Sequence, residues 1–143
     1  MRLISKDFAD MQSMSSEFTC DGRGICPSSE WIGVPKETKS FALICNDPDA
    51  SSGSFVHLLL INIPTELTRI DDITKTSGDF LLNSAGGNNY YPPCPPSGVH
   101  RYVFTLYALD IERIDPESIE NIEITLKPHI VANAMLTGVY SRG

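Results

Sequence analysis

Three short segments of this chain carry the side chains able to do chemistry: Asp47-Pro48-Asp49-Ala50, His57 inside an apolar run, and the stretch from Tyr90 to Tyr102 that ends in His100-Arg101-Tyr102. Two imidazoles and a phenol can donate hydrogen bonds to an oxyanion without any lysine, since a neutral ring offers one N–H and an imidazolium two. A carboxylate nearby favours the charged imidazole and orients it, so Asp47 or Asp49 can charge His57 and also offer an acceptor to an ammonium group. The residue types therefore predict a pocket compatible with a small anion or zwitterion. Four of the ten prolines fall within residues 92–96. There they remove backbone donors and fix φ, which makes the segment a stiff loop and lowers the entropy cost of holding a ligand.

Each of these residues also has a plainer reading. His57 alone would be a core histidine with one hydrogen-bond partner. Asp49 before Ala50 fits a turn former, and Arg101, on the opposite strand face from His100 and Tyr102, fits a solvated or salt-bridged side chain. It is the company of Asp47 and His100 that favours a site. Catalysis would need Cys94 as a nucleophile with a base close enough to form its thiolate. Neither a Gly-x-Ser-x-Gly elbow nor a phosphate-binding loop is present, so the protein is expected not to be an enzyme, with a hydrolase as the remote alternative. A metal held by His57, His100 and Asp47 would draw three ligands from separate segments, and no metal or other cofactor is expected.

The elements that must position these side chains follow from period-two patterning. Phe41 to Cys45 reads as a buried strand that runs into the turn chemistry of Asn46-Asp47-Pro48-Asp49. Phe55 to Ile63, closed by Pro64, reads as a second buried strand, with His57 on the face of Phe55, Leu59 and Ile61. Tyr102 to Leu109 is the third, and alternation puts His100 and Tyr102 on one face at its start. Residues 65–89 read as loop with a short strand at Phe80-Leu81-Leu82. Asp115-Pro116-Glu117-Ser118 has the grammar of a helix start. The spacing of Ile130, Val131, Ala134, Met135 and Val139 predicts an amphipathic helix over 127–140. Strands dominate and helices come late, which predicts an antiparallel β-sandwich with one or two peripheral helices near the C-terminus.

At 143 residues the chain fits a single domain over residues 1–143. Its net charge of −7 disfavours nucleic acid and anionic lipid surfaces, both of which reward clustered Lys and Arg. No apolar run suits a signal peptide or a membrane span, so a cytoplasmic location without membrane insertion is expected. Of the four cysteines, Cys45 reads as a buried small hydrophobe. Cys20 and Cys26 flank a glycine-containing loop able to bring them together as a disulfide, which a reducing cytosol would oppose.

Taken in order, Asp47-Pro48-Asp49-Ala50, Cys94-Pro95-Pro96-Ser97-Gly98 and His100-Arg101-Tyr102 resemble the phosphatidylethanolamine-binding proteins, also called Raf-kinase-inhibitor-like proteins, and in particular their small bacterial and archaeal members. Phe18-Thr19-Cys20-Asp21-Gly22, Trp31, Ile61-Asn62-Ile63-Pro64 and Leu136-Thr137-Gly138-Val139-Tyr140 extend the likeness over nearly the whole chain. The resemblance implies a large central sheet packed on a smaller one, and a shallow pocket for phosphate, acetate or a phosphoethanolamine head group. Carried over residue by residue, that pocket comprises Asp47, Asp49, His57, Pro93, Pro95, Pro96, His100 and Tyr102. It further implies a non-enzymatic binding module that regulates a protein partner such as a kinase, with serine-protease inhibition through the proline-rich loop as the alternative. Ser51 stands where the family usually has proline, and Pro92 where glycine is common. The rim of the pocket is therefore expected to differ.

Overall fold

The computed structural model describes residues 1–142. Its strands are β1 (Arg2–Ile4), β2 (Gln12–Ser13), β3 (Ser29–Ile32), β4 (Ser40–Asp47), β5 (Phe55–Ile63), β6 (Arg69–Ile70), β7 (Asp79–Phe80), β8 (His100–Leu109) and β9 (Ile130–Tyr140), with one short helix, α1 (Ile122–Leu126). A six-stranded sheet has the order β2-β9-β8-β4-β5-β7, and a three-stranded sheet has the order β1-β3-β6. All pairings are antiparallel except the two-residue pairing of β2 with β9. This is the expected two-sheet, mainly β architecture with a late, short helix.

Alternation explains which side chains are inside. Phe41, Leu43 and Cys45 of β4, with Tyr102, Phe104, Leu106 and Ala108 of β8, fill the space toward the small sheet, where Leu3, Trp31 and Ile70 meet them. Trp31 packs on Phe41 with ring centroids 5.3 Å apart. Cys45 is fully buried, the small hydrophobe expected of it. The opposite face of the large sheet carries a second cluster of Ala42, Ile61, Leu109, Ile114 and Leu126, so α1 covers part of that face. Burying one large aliphatic side chain is worth about 2 kcal/mol, which makes these two layers the main source of stability.

Two irregularities in β5 decide what faces the site. Between Cys45↔Leu58 and Asn46↔Val56 the register slips by one residue, and the residue left over is His57. Phe55 and His57 still share a face, but beyond the bulge it is Leu58 and Leu60 that enter the main core. Leu59 and Ile61, expected beside His57, turn to the other side. The second slip, between Phe41↔Ile63 and Leu43↔Leu60, is accommodated at Asn62 with φ of 57°. Asn62 donates to the Ile114 carbonyl at 2.8 Å and accepts from the Ile114 N–H at 2.8 Å, fixing the chain that leaves β8.

The C-terminal helix predicted over 127–140 is a strand. The α-helix ends at Leu126, a 3-10 turn covers Lys127–His129, and β9 pairs with β8 along its whole length. Ala134 and Leu136 point inward and Met135 outward, so the true period is two. The 3.6-period reading matched only a subset of these residues, and the long β8 ladder together with β-branched Ile130, Val131, Thr137 and Val139 outweighs it. Gly138 lets Met14 and Phe8 pack close on β9, since a Cβ there would force the Met14 side chain to move. The start signal at Asp115 produces one 3-10 turn, Pro116–Ser118, with the Asp115 carboxylate accepting from the Glu117 N–H at 3.1 Å. The short strand expected at 80–82 lies at Asp79–Phe80.

Candidate functional site

A cavity of about 310 Å³ opens where the ends of β4 and β8, the start of β5 and the proline-rich loop converge. Strand alternation brings His100 and Tyr102 to it from β8, and the bulge brings His57 from β5. Asp47, at the end of β4, is buried beneath them. Pro95 and Pro96 form the opposing side, joined by Cys94. Of the predicted residues, Asp47, His57, Pro95, Pro96, His100 and Tyr102 line the cavity.

Asp49 and Pro93 do not line it. Asp49 accepts from the Arg101 backbone N–H at 2.9 Å and from its guanidinium at 2.9 and 2.8 Å, a bidentate pair that turns the carboxylate toward the outer side of β8. Those hydrogen bonds hold its carboxyl down to about 2. Pro93 is buried, and its carbonyl accepts from the Cys20 N–H at 3.0 Å. Both residues brace the walls.

The proline-rich loop is tied down on its far side by a disulfide between Cys20 and Cys94, with Cα atoms 5.4 Å apart. Cys20 therefore pairs across 74 residues of sequence and not with Cys26, which is free. Burial pushes the Cys26 thiol up, so it is no thiolate donor. The same bridge removes Cys94 as a nucleophile, because a disulfide sulfur carries no thiolate. Tyr90 is buried with its hydroxyl donating to the Phe18 carbonyl at 2.8 Å, a second tie between loop and N-terminal segment.

Sequence reading missed Ser51, Ser52, Phe55 and Tyr91, all of which line the cavity. Ser51 and Ser52 lie in a turn closed by the Gly53 N–H donating to the Ala50 carbonyl at 3.0 Å. The replacement of a family proline by Ser51 was the available signal, since it puts a hydroxyl on the rim. Phe55 shares the face of His57, and Tyr91 borders it from the loop. Their rings lie 4.9 and 5.9 Å from the His57 ring, while Tyr102 meets it edge-on at 5.3 Å.

The hydrogen bonds assign the ring nitrogens. His57 Nδ1 lies 2.7 Å from the Tyr91 carbonyl, an acceptor only, so Nδ1 carries the proton and donates. Nε2 has no protein partner among the described residues and opens on the cavity. Burial pushes the His57 imidazole below its ordinary value, opposed by the Tyr91 carbonyl and Asp47 and aided by His100. His100 Nδ1 lies 2.6 Å from Asp47 Oδ2, and its Nε2 lies 3.1 Å from the Ser97 carbonyl. Both neighbours are acceptors, so only the doubly protonated ring donates to both. Asp47 Oδ1 accepts from the Asp49 N–H at 2.8 Å. With both His100 nitrogens and His57 Nδ1 committed to the protein, the three-ligand metal site considered from sequence has too few free donors. The Tyr102 hydroxyl also lacks a protein partner among the described residues, and burial raises it above its ordinary value. The cavity can therefore offer hydroxyl donors and one imidazole nitrogen, and among the described residues no Lys or Arg lines it.

Residues 4–141 match the family model described as phosphatidylethanolamine-binding protein. The chain is 42% identical to a UPF0098 protein of Methanothermobacter thermautotrophicus, covering all of both chains. It is 35% identical to the UPF0098 protein YbhB of Escherichia coli, over 99% of this chain and 100% of that one. Among solved structures it resembles a Chlamydia trachomatis protein described as a phosphatidylethanolamine-binding protein homolog, with TM-score 0.91 and 32% identity over 99% of this chain and 97% of that one. Escherichia coli YbcL, described as a new member of the mammalian PEBP family, also aligns with TM-score 0.91, at 29% identity over 99% and 98% of the two chains.

Proposed function

This chain belongs to the phosphatidylethanolamine-binding protein family, and on that footing we propose that it is a non-enzymatic binder of small anionic or phosphorylated ligands in the cavity around His57. The observation that carries the reading is a pair of polar atoms without protein partners among the described residues, His57 Nε2 and the Tyr102 hydroxyl, on largely buried side chains that line one cavity and stay open to it. Two unpartnered polar atoms converging on one aromatic-walled cavity are the few convergent polar groups by which a small-ligand site fixes its ligand. Ser51 and Ser52 add donors at the rim. The phosphoethanolamine head group is the fitting zwitterion, with its ammonium near Asp47 and the aromatic wall.

Titration with O-phosphorylethanolamine, followed through the His57 and His100 ring signals by NMR, tests this reading. Saturable shifts at His57 that vanish in Tyr102→Phe, and shifts at His100 that vanish in His57→Ala, in proteins that otherwise keep the native spectrum, are expected. Rings that stay silent at millimolar ligand would remove it.

A second reading, inhibition of a serine protease, is favoured by one feature: the loop is braced by both the Cys20–Cys94 bridge and the Tyr90 tie. A preorganised exposed loop suits insertion into a protease cleft. A panel of chymotrypsin- and elastase-like enzymes tests it, and absence of inhibition at micromolar protein removes it. The described residues include no helix long and apolar enough to cross a membrane. A cytoplasmic location is the proposal for this chain, with the bridge then required to persist against reducing thiols.

A further inference from the structure

The arrangement of donors and acceptors restricts the ligand more than the family does. His57 donates through Nδ1 to a carbonyl that cannot itself donate, so in the neutral ring the atom offered to the cavity is a lone pair. A lone pair facing a fully deprotonated oxyanion repels it. Among the described residues no Lys or Arg lines the cavity, and His100 Nδ1 lies against Asp47 Oδ2 at 2.6 Å, so the wall carries no net positive charge to offset a second negative charge on a ligand. The guanidinium of Arg101, next in sequence to His100, is bound in both arms by Asp49.

The geometry points to a ligand class: the site selects oxyanions that bring an exchangeable proton near neutrality, inorganic phosphate and phosphate monoesters, over sulfate and phosphodiesters, with His57 Nε2 accepting that proton. This rests on the binding reading above. A protonated phosphate donates its O–H to Nε2 and receives donors from Tyr102, Ser51 and Ser52 on its remaining oxygens. Sulfate and a phosphodiester have no proton to give, so their binding must draw one from solvent onto Nε2. Monoesters have a second pKa of about 6 and so retain a usable fraction of the protonated form near neutrality.

The surroundings of His57 work in the same direction. From β4 it faces Asp47, from β8 it faces His100 and Tyr102, from the loop Tyr91, and on its own strand Phe55. Burial is the largest influence and favours the neutral ring, with His100 adding to it; Asp47 and the Tyr91 carbonyl oppose. The neutral ring is thus the resting form above the ordinary histidine range.

Affinities for inorganic phosphate, sulfate and dimethyl phosphate, measured by calorimetry on the oxidised protein from about pH 5 to about pH 8, test the inference across the histidine range. Near neutrality phosphate is expected to bind at least tenfold more tightly than sulfate or dimethyl phosphate. Sulfate affinity should fall by roughly tenfold per pH unit above the His57 pKa, since one proton is taken up on binding. On acidification the preference should shrink, because an imidazolium donates to any of the three anions. In His57→Gln the side-chain amide supplies a donor at every pH, so the sulfate slope should flatten and the preference disappear. Should that variant fail to fold, the wild-type pH series decides by itself. Equal affinities with no pH slope, or a preference kept in His57→Gln, overturn the inference and leave the binding reading standing. No binding of any anion at any pH overturns the binding reading itself.

Discussion

Removing the Cys20–Cys94 bridge should destabilise the protein far more than its exposed position suggests. Both cysteines are exposed, so replacing them by serine in the double variant Cys20→Ser/Cys94→Ser removes little packing, and the effect falls on the unfolded chain. The bridge spans 74 residues of sequence. On the chain-entropy model a loop of about 75 residues loses about 15 cal/mol/K of denatured-state entropy, or about 4.5 kcal/mol at 25 °C. A domain of this size is held by about 5–15 kcal/mol in all, so the bridge contributes a large share. Urea unfolding of the oxidised protein and the double variant, followed by Trp31 fluorescence, measures it. With a slope of about 2 kcal/mol per molar urea the midpoint should fall by about 2 M, with the slope itself rising as the unbridged denatured chain expands. A loss below about 1 kcal/mol would refute the reasoning, and would mean either that the bridge does not form or that the denatured chain stays compact without it.

Asn62→Ala should cost about 2–3 kcal/mol by leaving the Ile114 N–H and carbonyl without their partner and by replacing asparagine, which tolerates positive φ, with alanine, which does so less readily. Asn62→Gly loses the same hydrogen bonds without the backbone strain, so denaturation of the pair should rank glycine above alanine by about 1 kcal/mol. His57 has a folded-state pKa below its unfolded value of 6.5, so its linkage favours folding above that pH and is lost as pH falls below it. His57→Gln should remove that part of the acid slope in thermal melts. Asp49 is held at about 2 against an ordinary 3.8, so its contribution is present above about pH 4 and disappears as pH falls toward 2. Asp49→Asn should flatten the melting curve's pH dependence in that lower window alone.

What the sequence determined by itself was whatever depends on nearest neighbours along the chain. Alternation in 41–45, 55–63 and 102–109 gave the central strands, and the same rule put His100 and Tyr102 on one face. The motif set identified the family, and six of its eight carried-over residues do line one cavity. Tertiary structure decided the rest, because the deciding forces act between segments far apart in sequence. Whether 127–140 is helix or strand depended on β8 offering it a ladder, which no local period reveals. The slip that isolates His57 arises only when β5 is laid against β4, since a bulge is a mismatch between two strands and not a property of one. Cys20 found Cys94 because the fold brings residues 18–24 against the loop at 90–94, where Tyr90 and Pro93 make their own ties. Asp49 lies outside the cavity lining because Arg101, 52 positions on, holds its carboxylate in a bidentate fork. The residue types set which chemistry is available, and the long-range contacts set which atom of each side chain is left free to do it.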